Sequence, residues 1–163
     1  IDLSGKVALV TGGGKGVGRG ISQRLLDAGA EVIICGRSEP ESAPESGNRR
    51  AIFHGCDVRD PEQIEGLVAF AVQRFDRIDI LINNAGGAPA ADAATASPRF
   101  SESIIRLNLL APLLVSQAVN RVMQSQQEGG SIINIASVSA QRPSPGTARS
   151  GPPVSIARAH PAR

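Results

Sequence analysis

The stretch Thr11-Gly12-Gly13-Gly14-Lys15-Gly16-Val17-Gly18 decides the fold class of this chain. The apolar run 6–11 before it predicts a buried strand, and residues 16–28 after it repeat apolar side chains at helical spacing. A glycine-rich turn between a strand and a helix is a typical setting for a dinucleotide pyrophosphate, because unpaired N–H groups and the positive end of the helix dipole face the phosphates. This context favours a phosphate-binding turn over a plain glycine-rich turn.

Three glycines of the turn have separate predicted tasks. Gly12 can adopt a positive φ in a tight turn, and Gly16 lets the backbone approach a pyrophosphate closely. Gly18 lets the helix pack against the sheet. Together with Lys15 and Val17, these glycines are the predicted cofactor-binding residues of the turn.

The end of the predicted second strand, residues 31–36, indicates which dinucleotide binds. An Asp or Glu there would bind the ribose 2′-hydroxyl of NAD, but here Arg37 follows the strand and the first carboxylate is Glu39. Arg37 can pair with a 2′-phosphate, and Lys15 can add a second positive charge. We therefore predict NADP, with NAD as the less favoured alternative; an ordinary solvated loop arginine is the other interpretation of Arg37.

The rest of the chain alternates predicted strands with predicted helices. Asp60 is a candidate N-cap for a helix that begins at Pro61, and Gln63 completes a pattern similar to a capping box. Pro112 predicts a bend in a long helix. The alternation predicts an α/β fold with a doubly wound parallel sheet of the Rossmann type and about five strands. The further predicted segments are strands at 51–54, 78–82 and 131–136, helices at 61–75 and 98–127, and loops at 37–47 and 86–97.

Composition argues against several function classes. The 163 residues contain 17 Lys and Arg against 15 Asp and Glu, a net charge of +2 that is too weak to indicate nucleic acid or an anionic membrane as a partner. We expect no membrane span, because no apolar run approaches the required ~18 residues, and the N-terminus lacks signal-peptide character. Cys35 and Cys56 match no metal or redox spacing, so we predict no metal site and interpret both as small buried hydrophobes in a cytoplasmic protein.

Five motifs in order make the chain resemble the short-chain dehydrogenase/reductase family of the compact type, over residues 3 to about 147. They are the glycine turn, Asp57-Val58, Asn83-Asn84-Ala85-Gly86, Asn108 and Ile135-Ala136-Ser137. The resemblance implies hydride transfer between a nicotinamide cofactor and a small carbonyl or alcohol substrate.

The same resemblance implies roles for individual residues. Asp57 and Val58 would contact the adenine, and the segment Asn84-Ala85-Gly86 would line the cofactor. Asn108 would hold a proton-relay water, and Ser137 would be the catalytic serine. Each polar residue also has an ordinary structural interpretation, such as a loop cap, a mid-helix amide bonded to a carbonyl, or a strand-end hydroxyl.

The family pattern breaks after Ser137. Family members carry a Tyr thirteen residues later, as general acid/base, and a Lys four residues beyond it; here these positions are Ser150 and Val154, and the chain contains no Tyr. A serine hydroxyl is a far weaker acid than a phenol, and valine supplies no charge. Losing a positioned proton donor typically removes ~10²- to 10⁴-fold in rate, so we expect very weak or absent turnover.

The break coincides with a change in composition after about Gly146, where Ala, Arg, Gly and Pro predominate. We therefore predict an NAD(P)-binding domain over residues 1–147 and an irregular tail over 148–163. A shifted reading frame that truncates a longer enzyme would explain the change. Such a chain would expose its last strand as a sheet edge and leave an apolar patch on the long helix. The patch comprises Leu109, Leu110, Leu113, Leu114 and Val115.

Three interpretations stay open from the sequence. The chain is an active NADP-dependent oxidoreductase, a family member that binds NADP(H) without catalysis, or a non-enzymatic module that pairs with itself or with a full-length homologue.

Overall fold

Five parallel strands form the central sheet of the computed structural model, which describes residues 1–89, 91 and 95–137. The sheet order is β5-β2-β1-β6-β7. In chain order the elements are β1 (Val7–Thr11), α1 (Gly16–Asp27), β2 (Glu31–Gly36), β3 (Glu45–Ser46), β4 (Arg49–Arg50), β5 (Ile52–Gly55), α2 (Pro61–Phe75), β6 (Ile80–Asn83), α3 (Pro98–Ile105), α4 (Ala111–Ser125) and β7 (Ser131–Asn134).

The strand order places the glycine turn at the centre of the sheet. β1 pairs in parallel with β2 on one side and with β6 on the other, so the chain runs outward from β1 in both directions. The carboxyl ends of these three strands therefore border the crevice in which ligands of such sheets bind. The predicted fold class, a doubly wound parallel sheet with about five strands, is confirmed.

Two apolar layers hold the helices on opposite faces of the sheet, because successive side chains of a strand point to opposite faces. On one face α1 packs against the sheet, while α2 and α4 cover the other. The first layer includes Ala8, Val10, Leu26 and Ile34. The second includes Leu9, Ile33, Leu67, Leu81 and Val119.

The segment predicted as a loop over 37–47 contains a short strand. β3 pairs with β4 in an antiparallel hairpin, with Ser46 opposite Arg49 and Gly47 at φ 56° in the turn. Two-residue strands carry no detectable alternation, so the pattern gave no signal for them. The other predicted strands and helices are present with ends that differ by at most two residues, although the predicted helix 98–127 is divided into α3, a π-helical segment and α4. The predicted loop at 86–97 lies partly outside the described residues.

A π-helical segment, Arg106–Leu110, joins α3 to α4 and ends two residues before Pro112. Proline has no N–H to donate to the preceding turn, which explains why the predicted disturbance near Pro112 takes this form. Within the 28-residue run Pro98–Ser125, one window of 18 residues reaches a mean hydropathy of 1.2, so by length and composition alone this run could cross a membrane. One face of α4 lies in the core, as in the core helix of a globular domain.

The predicted apolar patch on this run is partly wrong. Leu109, Leu110 and Leu113 are exposed, but Val115 is only 1% exposed and Leu114 packs against the core. Helical spacing turns Val115 towards the sheet, away from the three exposed leucines. The predicted tail at 148–163 and the domain boundary at 147 lie outside the described residues.

Candidate cofactor-binding site

The glycine turn brings β1 and α1 into very close contact. Gly12 has φ 65°, and its N–H donates to the carbonyl of Cys35 at 2.8 Å. A Cβ on Gly18 would lie 2.3 Å from the Gly12 carbonyl oxygen and 2.4 Å from Nδ2 of Asn84. A side chain at Gly18 therefore cannot fit without moving backbone.

Gly16 differs from these two glycines because it faces open space. It has φ 51°, and no described atom lies within 4 Å of its would-be Cβ. Lys15, the N-cap residue of α1, makes no side-chain capping hydrogen bond in the described structure. The first N–H groups of α1 are therefore available to an anion, together with the positive end of the helix dipole.

A buried hydroxyl ties the turn to the neighbouring strand. Oγ1 of Thr11 accepts hydrogen bonds from the N–H groups of Asn84 at 3.0 Å and Ala85 at 2.9 Å, and donates to the Ile82 carbonyl at 3.3 Å. Nδ2 of Asn84 donates to the carbonyls of Thr11 at 3.0 Å and Gly12 at 3.3 Å. The Asn84 amide thus supports the turn, and Thr11 is a positioning residue that the sequence analysis missed.

A cleft of about 580 Å³ opens at the carboxyl ends of β1, β2 and β6. This size lies within the ~300–1,000 Å³ that is usual for ligand clefts. Predicted site residues in its wall are Gly12, Lys15, Arg37, Asp57, Val58, Ala85 and Gly86. The other predicted cofactor residues, Gly16, Val17, Gly18 and Asn84, are outside this wall, although Gly18 and Asn84 pack directly behind Gly12.

Two positive side chains border the cleft from different elements. Arg37 directly follows β2, Lys15 precedes α1, and both are exposed. The segment after Arg37 is held against α1, since the Arg19 guanidinium donates to the Ser42 carbonyl at 2.5 Å. Gln23 donates to the Glu45 carbonyl at 2.5 Å in the same way.

The one acidic side chain in the cleft wall is neutralised within the described structure. Arg59, which the sequence analysis did not select, donates to both carboxylate oxygens of Asp57, at 2.9 Å from Nε and 2.5 Å from Nη2. Hydrogen bonding from Arg59 lowers the pKa of the Asp57 carboxyl, although partial burial opposes this. The side-chain oxygen of Gln63 accepts a hydrogen bond from the Asp57 N–H at 2.8 Å. The predicted capping box would instead have it accept from the Asp60 N–H. Asp57 is therefore a fixed carboxylate at neutral pH.

Asn108 lies in the π segment and holds the opposite wall of the cleft. Its Oδ1 accepts from the Gly87 N–H at 2.8 Å, while its Nδ2 donates to the carbonyls of Gly87 and Ile104, both at 3.0 Å. These bonds match the ordinary structural interpretation of Asn108, a mid-helix amide bonded to carbonyls. The same side chain also holds Gly87 in place. The predicted role of holding a relay water stays a prediction.

Ser137 lies beyond the end of β7 and is exposed. The N–H of Ile135 donates to the Asn83 carbonyl at 2.9 Å, which continues the pairing of β6 with β7 towards Ser137. Ser137 is thus at the same carboxyl edge of the sheet as Gly86, but it is outside the wall of the cleft. The catalytic assignment of Ser137 stays a prediction.

The glycines and the cleft fit a dinucleotide. The backbone of Gly16 is open where a pyrophosphate would approach, and residues 85–87 form the far wall of the same cleft. Among the described residues, no group of three or more His, Cys, Asp or Glu side chains has the placement to hold a metal ion.

Comparison with known proteins identifies the family to which this arrangement belongs. A sequence model of the family described as short chain dehydrogenase matches residues 6–149. An uncharacterized oxidoreductase from Methylorubrum extorquens is 38% identical over 142 residues, which are 83% of this chain and 56% of that protein. The 2-dehydro-3-deoxy-D-gluconate 5-dehydrogenase of Dickeya dadantii is 36% identical over 140 residues, 84% of this chain and 55% of the enzyme.

The solved structures agree with the sequence relatives. The aldohexose dehydrogenase of Thermoplasma acidophilum superposes with a TM-score of 0.78 at 28% identity, over 88% of this chain and 54% of that one. The chain thus spans about half the length of the curated relatives that it matches. The extent of the family match and the shared sheet place this chain in the short-chain dehydrogenase/reductase family.

Proposed function

We propose that this chain is an NADP(H)-binding member of its family whose own capacity for turnover is very weak or absent. Family membership implies a nicotinamide cofactor, and the choice of NADP rests on one observation. Arg37 and Lys15 bring two positive side chains to one cleft, whose acidic residue Asp57 is already paired with Arg59. A 2′-phosphate would find cations there, whereas the ribose 2′-hydroxyl of NAD would find no carboxylate directly after β2.

Each part of the cleft has a distinct task in this proposal. Backbone N–H groups at Gly16 and the start of α1 hold the pyrophosphate, and Arg37 donates charge-assisted hydrogen bonds to the 2′-phosphate. Asp57 and Val58 border the adenine, and residues 85–87 border the nicotinamide half, with Asn108 fixing Gly87. The bound cofactor supplies or accepts a hydride.

Catalysis would need a proton donor at the substrate oxygen. Ser137 is the predicted hydrogen-bonding partner of a small carbonyl or alcohol substrate, but the chain has Ser150 and Val154 where the family carries Tyr and Lys. Without a phenol of lowered pKa no group is matched to the proton transfer. A cytoplasmic location fits two free, buried cysteines, because reducing compartments keep thiols reduced.

A substitution at Arg37 tests the cofactor assignment. A lost charge-assisted bond costs about 1.5–3 kcal/mol, so Arg37→Ala should weaken NADPH binding by about tenfold to hundredfold, measured by NADPH fluorescence titration. NADH binding should change little. Arg24→Ala, on the exposed face of α1 and paired with Asp27, is the matched control. Equal loss of NADPH and NADH affinity in Arg37→Ala would refute the 2′-phosphate assignment.

A turnover assay tests the inactivity. NADPH consumption with a panel of small ketones, quinones and 3-oxoacyl esters should not exceed the rate without protein. A rate that survives repurification and disappears in Ser137→Ala would show that the chain is an active oxidoreductase.

A non-catalytic pairing function is the second candidate, favoured by the exposed apolar side chains Leu110, Leu113 and Ile133. In this alternative the chain pairs with itself or with a full-length homologue through such exposed apolar side chains.

A further inference from the structure

Arg59 holds both carboxylate oxygens of Asp57 in the turn between β5 and α2. Its Nε donates to Oδ1 at 2.9 Å, its Nη2 donates to Oδ2 at 2.5 Å, and its backbone N–H donates to Oδ1 at 3.0 Å. The Asp57 N–H donates to the side-chain oxygen of Gln63 at 2.8 Å, which joins this turn to the start of α2. A two-point contact from the planar guanidinium fixes orientation as well as distance. The orientation of the Asp57 carboxylate is therefore set by Arg59.

This ion pair lies beside Arg37, the residue assigned to the 2′-phosphate. Gly36 is paired with Gly55 in the register of β2 and β5, so Arg37 is one residue beyond that pair and Asp57 is two residues beyond it. Both arginines and Asp57 contribute to the wall of the cleft. Hydrogen bonding from Arg59 is the main cause of the lowered pKa of Asp57, and the positive charge of Arg37 acts in the same direction. Arg37 is thus the cation that the Asp57 carboxylate would meet if Arg59 did not hold it.

The charge of this end of the cleft depends on the ion pair. Among the described residues, Asp57 is the one acid in the cleft wall, and Arg59 cancels its charge. Arg37 and Lys15 therefore make this end positive. A free Asp57 carboxylate would compete for the Arg37 guanidinium and repel a 2′-phosphate, whereas it could accept a hydrogen bond from a ribose hydroxyl. The state of the Asp57 carboxylate thus bears on which dinucleotide the cleft favours.

We propose that Arg59 determines cofactor specificity as a positioning residue: by occupying both oxygens of Asp57, it keeps that carboxylate away from Arg37 and leaves Arg37 to the 2′-phosphate of NADP(H). This role rests on the proposed NADP(H) function, to which it adds the residue that keeps the cleft wall free of negative charge. Arg59 acts through Asp57 and does not touch the phosphate. Removing Arg59 should therefore matter only while Asp57 retains its charge.

Replacement of Arg59 alone is the first test. NADPH and NADH are titrated by fluorescence, and the ratio of their dissociation constants is measured, because contacts to the shared adenine and pyrophosphate cancel in that ratio. Arg59→Met should reduce the preference for NADPH by about tenfold, since it leaves a free Asp57 carboxylate beside Arg37. Arg121→Met is the matched control, because it removes the same charge from an exposed pair with Glu65 outside the cleft wall, and it should keep the ratio.

A double variant separates the charge of Asp57 from the structure of the turn. In Arg59→Met/Asp57→Asn the carboxylate is absent as well, so the preference for NADPH should return to that of the unsubstituted chain. A double variant as unselective as Arg59→Met would overturn the proposal, because the loss would then not come from the carboxylate.

Asp57→Asn alone covers the case that Arg59→Met fails to fold by far-UV circular dichroism. Without the carboxylate, Arg59 becomes a free cation in the cleft wall. The preference for NADPH should then be at least as strong as in the unsubstituted chain. A weaker preference would overturn the proposal.

The same titrations distinguish the role of Arg59 from the proposed function. If the unsubstituted chain prefers NADPH and Arg59→Met keeps that preference in full, the role of Arg59 is refuted and the NADP(H) function stands. If the unsubstituted chain has no preference for NADPH, the proposed function is refuted, and the role of Arg59 with it.

Discussion

At the scale of single residues, the turn depends on the absence of a side chain at Gly18. A Cβ there would lie 2.3 Å from the Gly12 carbonyl oxygen, so Gly18→Ala should lower the free energy of unfolding by about 1–3 kcal/mol. Gly20→Ala is the matched control, because Gly20 is in the same helix and no described atom lies within 4 Å of its would-be Cβ. Alanine there should stabilise the helix by up to about 1 kcal/mol. Equal urea denaturation curves for the two variants would contradict this packing.

The Thr11 hydroxyl gives a second prediction at this scale. It accepts two backbone hydrogen bonds from Asn84 and Ala85 and is 2% exposed, so Thr11→Val leaves two N–H groups without that acceptor. We expect a loss of about 1–3 kcal/mol in unfolding free energy from urea denaturation. Thr11→Ser keeps the hydroxyl oxygen, so it should retain most of the stability that Thr11→Val loses. A valine variant as stable as the unsubstituted chain would contradict this role of the hydroxyl.

At the scale of elements, Asp79 joins β1 to β6 at the amino ends of the strands. Its carboxylate is 6% exposed and accepts from the Val7 N–H at 2.9 Å, from Nε of Arg77 at 2.8 Å and from Nη2 of Arg77 at 2.5 Å. Burial acts to raise the pKa of Asp79, but the hydrogen bonds and the charges of Arg77 and Lys6 outweigh it, so the pKa is lowered from 3.8.

This lowered pKa predicts a pH dependence of stability. The folded chain holds the Asp79 proton less tightly than the unfolded chain. Ionised Asp79 therefore contributes fully to the free energy of unfolding above the usual pKa of 3.8, and this contribution is lost as the pH falls through the lower pKa of the folded chain. Asp79→Asn should lower the free energy of unfolding by about 1–3 kcal/mol at neutral pH, as measured by urea denaturation. Its free energy of unfolding should also fall less steeply as the pH is lowered below neutral. Asp76→Asn is the control, at an exposed residue in the left-handed conformation that ends α2. This variant should show the same fall of unfolding free energy at low pH as the unsubstituted chain. If the unfolding free energy of Asp79→Asn falls with pH as steeply as that of the unsubstituted chain, Asp79 does not cause this pH dependence.

The elements also show why sequence reasoning succeeded and where it could not succeed. β1, β2 and β6 are nearly continuous apolar runs, and α2 carries a clear stripe with an Asp60 cap, so local pattern was sufficient. The β3–β4 hairpin has two-residue strands, too short for any period to appear. The Asn108–Gly87 clamp joins residues from separate parts of the chain, which only the tertiary fold brings together.

The same distinction applies within the candidate site. Lys15 and Arg37 were selected because each adjoins a recognisable strand or helix, whereas Asp57 and Gly86 were selected by their resemblance to family motifs; all four lie in the cleft wall. Arg59 was missed because its contact with Asp57 depends on the turn conformation between β5 and α2.

At the scale of the whole molecule, large apolar side chains remain exposed on α4 and on β7. Leu113 is 51% exposed, and Ile133 on β7 is 48% exposed. Among the described strands, β7 pairs only with β6, so its other edge presents unpaired backbone groups. We expect concentration-dependent self-association, measured by size-exclusion chromatography with light scattering.

Leu113→Lys should reduce this self-association while leaving the unfolding free energy within about 0.5 kcal/mol, as for an exposed position. The buried neighbour Val115 provides the contrast, because Val115→Ala should lower the unfolding free energy by removing core contacts. A chain that stays monomeric at high concentration would contradict an interaction role for these exposed side chains.

The proposed preference of the cleft for NADP over NAD can be measured by calorimetric titration of the unsubstituted chain with both dinucleotides. With Arg37 and Lys15 beside the cleft, NADP⁺ should bind at least about tenfold more tightly than NAD⁺. Because the attraction is electrostatic, the difference should shrink as salt is added. Equal or tighter binding of NAD⁺, or heat of binding from neither dinucleotide, would contradict the account.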